Sequence, residues 1–203
     1  MNTIHAICVY CGSSPGRDDV YAAAGRQLGR SIAEAGLRLI YGGGTKGIMG
    51  AVAEGACRAG GKVTGIIPHF LTNKEATEAA LGRLDEVIVT ENMHQRKHKM
   101  FEKSDAFVAL PGGIGTVEEI VEIMTWAQLG HHRKPMVFVN VRSFWTPMLD
   151  MLDHMRSEGF VHTGHLVRPI VVDGPEAVVP AVMAAATASG TPQDGVDSVI
   201  EKM

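Results

Sequence analysis

Two segments of this 203-residue chain carry residue types suited to chemistry on a phosphorylated ligand. The first is Leu110-Pro111-Gly112-Gly113-Ile114-Gly115-Thr116-Val117-Glu118-Glu119. It follows an apolar run, Ala106 to Leu110, and leads into an apolar-periodic stretch, Ile120 to Leu129. That pattern reads as strand, glycine loop and helix, with the helix opening after Thr116. Glycines let the backbone approach a ligand closely, and a helix N-terminus offers its free N–H groups to an anion. The reading places Glu118 and Glu119 in the first helical turn. The helix dipole accounts for one acid there, less well for a pair behind a double glycine. A phosphate cradle with a carboxylate beside it suits chemistry on something attached to the phosphate. Glu118 and Glu122, four apart, share a helix face, whereas Glu119 points about 100° away from Glu118. One division of labour puts Glu119 in the pocket and leaves Glu118 structural or hydrogen-bonded to substrate.

The second segment is Met93-His94-Gln95-Arg96-Lys97-His98-Lys99. Cations at the start of a helix oppose its dipole, so a sequence that accepts this cost has a use for them against an anion. Arg96 can grip a phosphate or carboxylate in bidentate fashion. A solvated polar face is the ordinary reading of an isolated cluster. Position argues otherwise, because the cluster follows a strand on the edge where the glycine loops lie.

Two further loops join that edge. Gly42-Gly43-Gly44-Thr45-Lys46-Gly47 matches G-x-G-x-x-G, but Ile66, Ile67 and Pro68 stand where a ribose-binding acid is expected roughly 20 positions on. A dinucleotide fingerprint is therefore rejected, a mononucleotide or sugar-phosphate site is kept, and a merely tight strand–helix turn is the alternative. Gly12, Ser13, Gly43 and Gly44 are the additional phosphate-loop candidates. Cys8-Val9-Tyr10-Cys11 is a C-x-x-C that ends a strand, where residues three apart point to opposite faces; buried small residues suit it better than a redox pair. The pairs His94/His98 and His162/His165 lack a well-spaced carboxylate or cysteine, and no metal is expected.

These loops need a scaffold, and the chain alternates strand-like and helix-like stretches throughout. Strands are expected over Ile4–Tyr10, Leu37–Tyr41, Val63–Ile67, Glu86–Thr90, Ala106–Leu110, Met136–Val141 and Ile170–Val172. Helices are expected over Asp18–Ala35, Gly47–Ala59, Met93–Lys103, Trp145–Glu158 and Pro175–Ala186, besides the one after Thr116. Continuous apolar strands are buried on both faces, so the fold class is α/β: a Rossmann-like, doubly wound, mostly parallel sheet of about seven strands with helices on both faces. Ligands in such folds sit beyond the carboxyl ends of the strands. One domain over residues 1–188 is expected, followed by a flexible tail over 189–203, where Gly190, Pro192 and Gly195 break any regular element. With 45% hydrophobic and 20% charged residues and a net charge of −3, the chain is an ordinary globule with no general electrostatics for nucleic acid. No apolar run reaches the length of a membrane span, no signal-peptide pattern opens the chain, and an odd three cysteines suit a reducing compartment; a cytoplasmic location is expected.

Taken together, the motifs resemble the LONELY GUY (LOG) family. Pro111 to Glu119 matches its PGGxGTxxE signature, and Met93-His94-Gln95-Arg96-Lys97 resembles its MHxRK element. Tyr41-Gly42-Gly43-Gly44 with Gly47-Ile48-Met49-Gly50, Cys11-Gly12-Ser13-Ser14 and Thr125 to Gly130 follow its other elements in order, from about Ile4 to Ala186. The resemblance implies hydrolysis of the N-glycosidic bond of N6-modified adenosine 5′-monophosphates, and of AMP in many members, releasing free base and ribose 5-phosphate. It implies a homodimer whose interface residues line the site, with a small-molecule nucleotide as partner and neither metal nor organic cofactor. It places Arg96 and Glu119 as the catalytic pair, and Glu78, Arg96, Lys97, Gly113, Ile114, Gly115, Thr116, Val117, Glu118, Glu119 and Thr125 as substrate contacts. Gln95 departs from the glutamate common at that position, which puts fine substrate positioning in question.

Two other classes compete. A non-catalytic nucleotide sensor or carrier can keep the loops, although retention of both Arg96 and Glu119 speaks against it. A pyridoxal-phosphate decarboxylase needs a Schiff-base lysine, and the nearby Lys46 and Lys97 lack the expected setting.

Overall fold

The computed structural model describes residues 3–161 and 168–188, with Asn73, Glu75 and Glu78 described by their backbone alone. Seven apolar, largely β-branched runs form β1 (Ala6–Tyr10), β2 (Arg38–Tyr41), β3 (Val63–Pro68), β4 (Glu86–Thr90), β5 (Ala106–Ala109), β6 (Met136–Val139) and β7 (Ile170–Val172). All pair in parallel, in the order β4-β3-β2-β1-β5-β6-β7. The chain winds outward from β1 to β4, returns to lay β5 beside β1, and winds outward again. The β1/β5 junction is therefore the point where strand order reverses, and its carboxyl edge is where folds of this kind hold a ligand crevice. Every residue of β1, β3, β5 and β6 is buried, as strands covered on both faces require. The edge strand β4 instead alternates, with Val87 and Val89 exposed.

Among the described residues, the helices are α1 (Asp19–Glu34), α2 (Gly47–Arg58), α3 (Thr72–Glu75), α4 (Glu78–Leu81), α5 (Met93–Glu102), α6 (Ile114–Gln128), α7 (Thr146–Ser157) and α8 (Val178–Ala188). One core packs α1, α2 and α8 on one sheet face through Leu28, Ile32, Val52 and Val182. The other packs α5, α6 and α7 on the opposite face through Met100, Ile120, Ile123 and Leu152. Cys8 belongs to the second core and Cys11 to the first; both thiols are free, and burial raises the pKa of each. Their side chains thus leave the strand on opposite faces.

Several expected boundaries shift for local reasons. The sixth strand stops at Val139, short of Val141, because the Asn140 side chain accepts the Trp145 N–H and the chain enters a 3-10 turn with Arg142 and Ser143 at positive φ. Residues 175–177 form a separate 3-10 turn ahead of α8. The short 3-10 turn His69–Leu71 and the helices α3 and α4 carry too few residues for periodicity to reveal them. The expected tail and the His162/His165 pair lie outside the described residues.

His132 anchors the far end of α6. Its Nε2 lies 2.9 Å from the Ile123 carbonyl, and its Nδ1 accepts the Lys134 N–H at 3.1 Å. This pattern holds the ring neutral, with its proton on Nε2. Burial pushes its pKa below the usual 6.5, and Lys134 and His131 add to that against the opposing Ile123 carbonyl. A lowered folded pKa means that the histidine's stability contribution is present above 6.5 and lost as pH falls through the folded value. Melting temperature is therefore expected to drop between about pH 7 and about pH 5. His132→Gln keeps a donor for Ile123 and cannot titrate, so part of that slope should vanish. An identical slope in the variant contradicts this role.

Candidate active site

Three loops meet at the reversal point. Gly12 N–H donates to the Pro111 carbonyl at 3.1 Å, and the Gly12 carbonyl accepts from Ile48 N (3.0 Å) and Met49 N (3.2 Å). The loops after β1, β2 and β5 are thus tied together through one residue. The same bonds occupy the first amides of α2, so its N-terminus is closed by protein. Gly43 and Gly44 are buried and their N–H groups have no partner among the described residues, while Ser13 is exposed. An unpaired buried N–H wants an acceptor, which keeps these two glycines as anion donors.

The third loop runs into α6 earlier than the sequence pattern indicates. Gly113 is the extended N-cap, and the helix opens at Ile114 inside the glycine loop. Close approach is needed at Gly112, where a Cβ would lie 2.1 Å from Thr116 Oγ1 and 2.9 Å from Gly12 N; around Gly113 and Gly115 there is open space, so the backbone is free to begin its turn there. The N–H groups of Ile114, Gly115 and Thr116 precede the first intrahelical bond, from Val117 N to Gly113 O, and have no backbone partner among the described residues at the positive end of the helix. Glu118 and Glu119 consequently lie in the second turn, and the first turn holds no acid. The dipole explanation for them falls away.

The two glutamates have different surroundings. The inward stripe of α6 is Thr116, Glu119, Ile120, Ile123, Met124 and Ala127. A carboxylate in that company is costly unless paired. Glu119 Oε1 lies 3.4 Å from Arg96 Nη1, and the two side chains are 6% and 5% exposed. Arg96 is itself held by the ends of two strands: its Nε donates to the Ile66 carbonyl at 3.2 Å and its Nη2 to the Gly42 carbonyl at 3.3 Å. Glu118 points outward and pairs with Lys97 Nζ at 2.5 Å, which also meets Glu122 at 3.1 Å. Burial works against the charge of Lys97, but the hydrogen bonds it donates to Glu118 and Glu122 outweigh it and its pKa rises.

Asn92 and Gln95 explain how α5 delivers Arg96. The Asn92 side chain caps the helix by accepting Gln95 N at 2.9 Å, and the Gln95 side chain reaches back to accept Glu91 N at 3.1 Å, a variant of the capping box shifted by one residue. A glutamate at 95 could accept the Glu91 N–H but could not donate to the Glu91 carboxylate, as the Gln95 amide does at 2.8 Å. The departure at position 95 is therefore a matter of helix capping, and the side chain turns back on its own helix.

Of the sequence-derived candidates, Gly43, Gly44, Arg96, Gly113 to Thr116 and Glu119 come together at the crevice. Lys97 and Glu118 flank it as a pair linking α5 to α6. Val117 lies on the exposed face of α6 with Ile114, and so does Thr125, whose hydroxyl donates to the Val121 carbonyl at 2.8 Å. Glu78 opens α4, and its side chain lies outside the described set. Gly42 was missed as an individual site residue. A Cβ there would lie 1.9 Å from Arg96 Nη2, so glycine at 42 is what lets the guanidinium reach the strand end. Gly42→Ala is expected to displace Arg96 and lower kcat/KM roughly 10²-fold, the scale of a misplacement of about 1 Å, in a chain that circular dichroism still reports as folded. Undiminished turnover would mean that this contact does not position the arginine.

Residues 49–182 match the family described as "Possible lysine decarboxylase". A cytokinin riboside 5′-monophosphate phosphoribohydrolase of Arabidopsis thaliana is 44% identical over 171 residues, 84% of this chain and 76% of that protein. The enzyme of the same name from Rhodococcoides fascians is 42% identical over 180 residues, 89% of this chain and 90% of that protein. The solved molybdenum cofactor carrier protein of Chlamydomonas reinhardtii superposes with a TM-score of 0.67 at 22% identity, covering 91% of this chain and 99% of the other; it shares the fold. The decarboxylase description finds no support in the crevice. Lys97 is held protonated between two carboxylates, the reverse of what an amine nucleophile needs.

Proposed function

The chain belongs to the LOG family of cytokinin riboside 5′-monophosphate phosphoribohydrolases, and from that premise we propose that it hydrolyses the N-glycosidic bond of N6-modified adenosine 5′-monophosphates and of AMP. The observation that carries the reading is the buried Arg96–Glu119 pair beside the open N–H groups at the start of α6. The 5′-phosphate sits on the N–H groups of Ile114 to Thr116, assisted by Gly43 and Gly44, which fixes the ribose against Glu119. Cleavage passes through an oxocarbenium-like state, which the Glu119 carboxylate stabilises. Water adds to the anomeric carbon and gives its proton to Glu119, while the purine leaves with the bonding pair and takes up a proton. Arg96 holds Glu119 in place and favours the departing base through its charge.

A homodimer suits the face of α6. Ile114 is 89% exposed and Leu129 67%, with Val117 and Val121 between them on the same helix. Thr125 lies on that face, three turns beyond the anion donors, so its contact with substrate is best supplied by a second copy. A cytoplasmic location is supported by the three free cysteines, and no helix among the described residues is long and apolar enough to cross a membrane.

The test compares initial rates of base release from N6-isopentenyladenosine 5′-monophosphate, from AMP, and from the riboside lacking the phosphate. Both nucleotides should yield free base, and the riboside far less. Equal rates on riboside and nucleotide would remove the phosphate cradle from the account.

A further inference from the structure

Away from the crevice, a cavity of about 360 Å³ opens between α1, α2 and the turn after α4. Its volume falls in the range of small-molecule sites. Three arginines line it, Arg26, Arg58 and Arg83, against one glutamate, Glu54, in a chain whose net charge is −3. Glu54 is taken up by Arg58 at 2.7 Å. Arg26 and Arg83 have no carboxylate within ion-pair range among the described residues, and they come from separate segments, α1 and the turn before β4.

The floor of the cavity holds a second polar group. Tyr41, at the end of β2, is 1% exposed, and its phenol has no hydrogen-bond partner among the described residues. The residue is buried but lines the cavity, which two guanidinium groups with no carboxylate partner among the described residues also edge. Leu84, Ala51 and Ala80 supply apolar wall.

We propose that this cavity is a second ligand site, distinct from the Arg96–Glu119 crevice, which takes a small phosphomonoester with a planar or apolar body, the size of a nucleoside 5′-monophosphate. Arg26 and Arg83 meet the phosphate, and the Tyr41 phenol donates to the ligand from the floor, with Tyr41 and Leu84 against its body. The occupant would rest on the loop from β2 to α2, the same loop whose Gly42 carbonyl receives Arg96. The inference stands on the cavity and does not depend on the reaction proposed above.

The probe is carbocyclic AMP, which lacks the ribose ring oxygen and so resists glycosidic cleavage. Calorimetric titration of the full chain should show a binding event that Arg26→Gln/Arg83→Gln weakens at least tenfold and Tyr41→Phe weakens severalfold. That event should survive Gly115→Asp, which sets a carboxylate at the start of α6, where a side chain has open space and repels a phosphate from the crevice, and turnover of the arginine variant at saturating substrate should stay unchanged. If no binding event responds to the arginine pair, or if the responding event is the one lost in Gly115→Asp, the second site does not exist. If one event alone is seen and it responds to the arginine pair but not to Gly115→Asp, the second site stands and the crevice fails as a nucleotide site.

Discussion

Replacing Glu119 by glutamine is expected to lower kcat for base release roughly 10²- to 10⁴-fold, the range of a single general acid–base group, with a much smaller change in KM. Glutamine fills the same space on the inward stripe of α6 and can still face Arg96, so packing beside Ile120 and Ile123 is kept. What disappears is the negative charge proposed to stabilise the oxocarbenium-like state and the basic oxygen proposed to take the proton of the attacking water. The phosphate donors proposed at Ile114 to Thr116 are backbone groups and remain in place, so nucleotide binding should persist. Glu119→Ala should lose at least as much turnover, with some stability lost besides. A folded Glu119→Gln protein with near-normal turnover would remove Glu119 from the reaction.

Arg96→Ala is expected to abolish measurable turnover and also to destabilise the fold. Removing one partner of a buried ion pair leaves the other charge uncompensated, at a cost of about 3–5 kcal/mol. Here Glu119 would remain at 6% side-chain exposure, and the carbonyls of Gly42 and Ile66 would lose their donors. Urea denaturation and initial rates, measured on the same preparation, separate the two losses. Arg96→Lys sharpens the test. A lysine keeps the charge but has no planar fork to reach Gly42, Ile66 and Glu119 together. It should regain part of the stability and little of the turnover. Full recovery of activity in the lysine variant would mean that charge alone, without the guanidinium geometry, is sufficient.

Much of the scaffold is legible in the chain because a parallel strand covered on both faces must be apolar throughout. The runs at Val63–Ile67 and Ala106–Leu110 become fully buried strands whose ends differ from those bounds by one residue each. The choice between Glu118 and Glu119 was open from spacing alone, since both belong to one helix and the faces depend on where the helix sits. Packing on the sheet settles their surroundings: Glu119 turns inward to Arg96, and Glu118 outward to Lys97. The start of α6 was less legible, because glycines read as loop whether or not they turn helically. The function of Gly42 is invisible in one dimension, since the group it makes room for lies 54 residues away in the chain. Gln95 looked like a substrate-positioning change; its backbone partner at Glu91 makes it a cap. The cavity at Tyr41 leaves no motif at all, because its arginines come from three separate segments.

Product analysis is the most direct test of the central claim that the crevice cleaves the bond between base and sugar. The purified protein is incubated with N6-isopentenyladenosine 5′-monophosphate, and the mixture is resolved by chromatography with mass detection. The account predicts N6-isopentenyladenine and ribose 5-phosphate in equal amounts, with both formed at least ~10²-fold more slowly by the Glu119→Gln protein. Release of the riboside with inorganic phosphate, or recovery of the nucleotide intact, would contradict it.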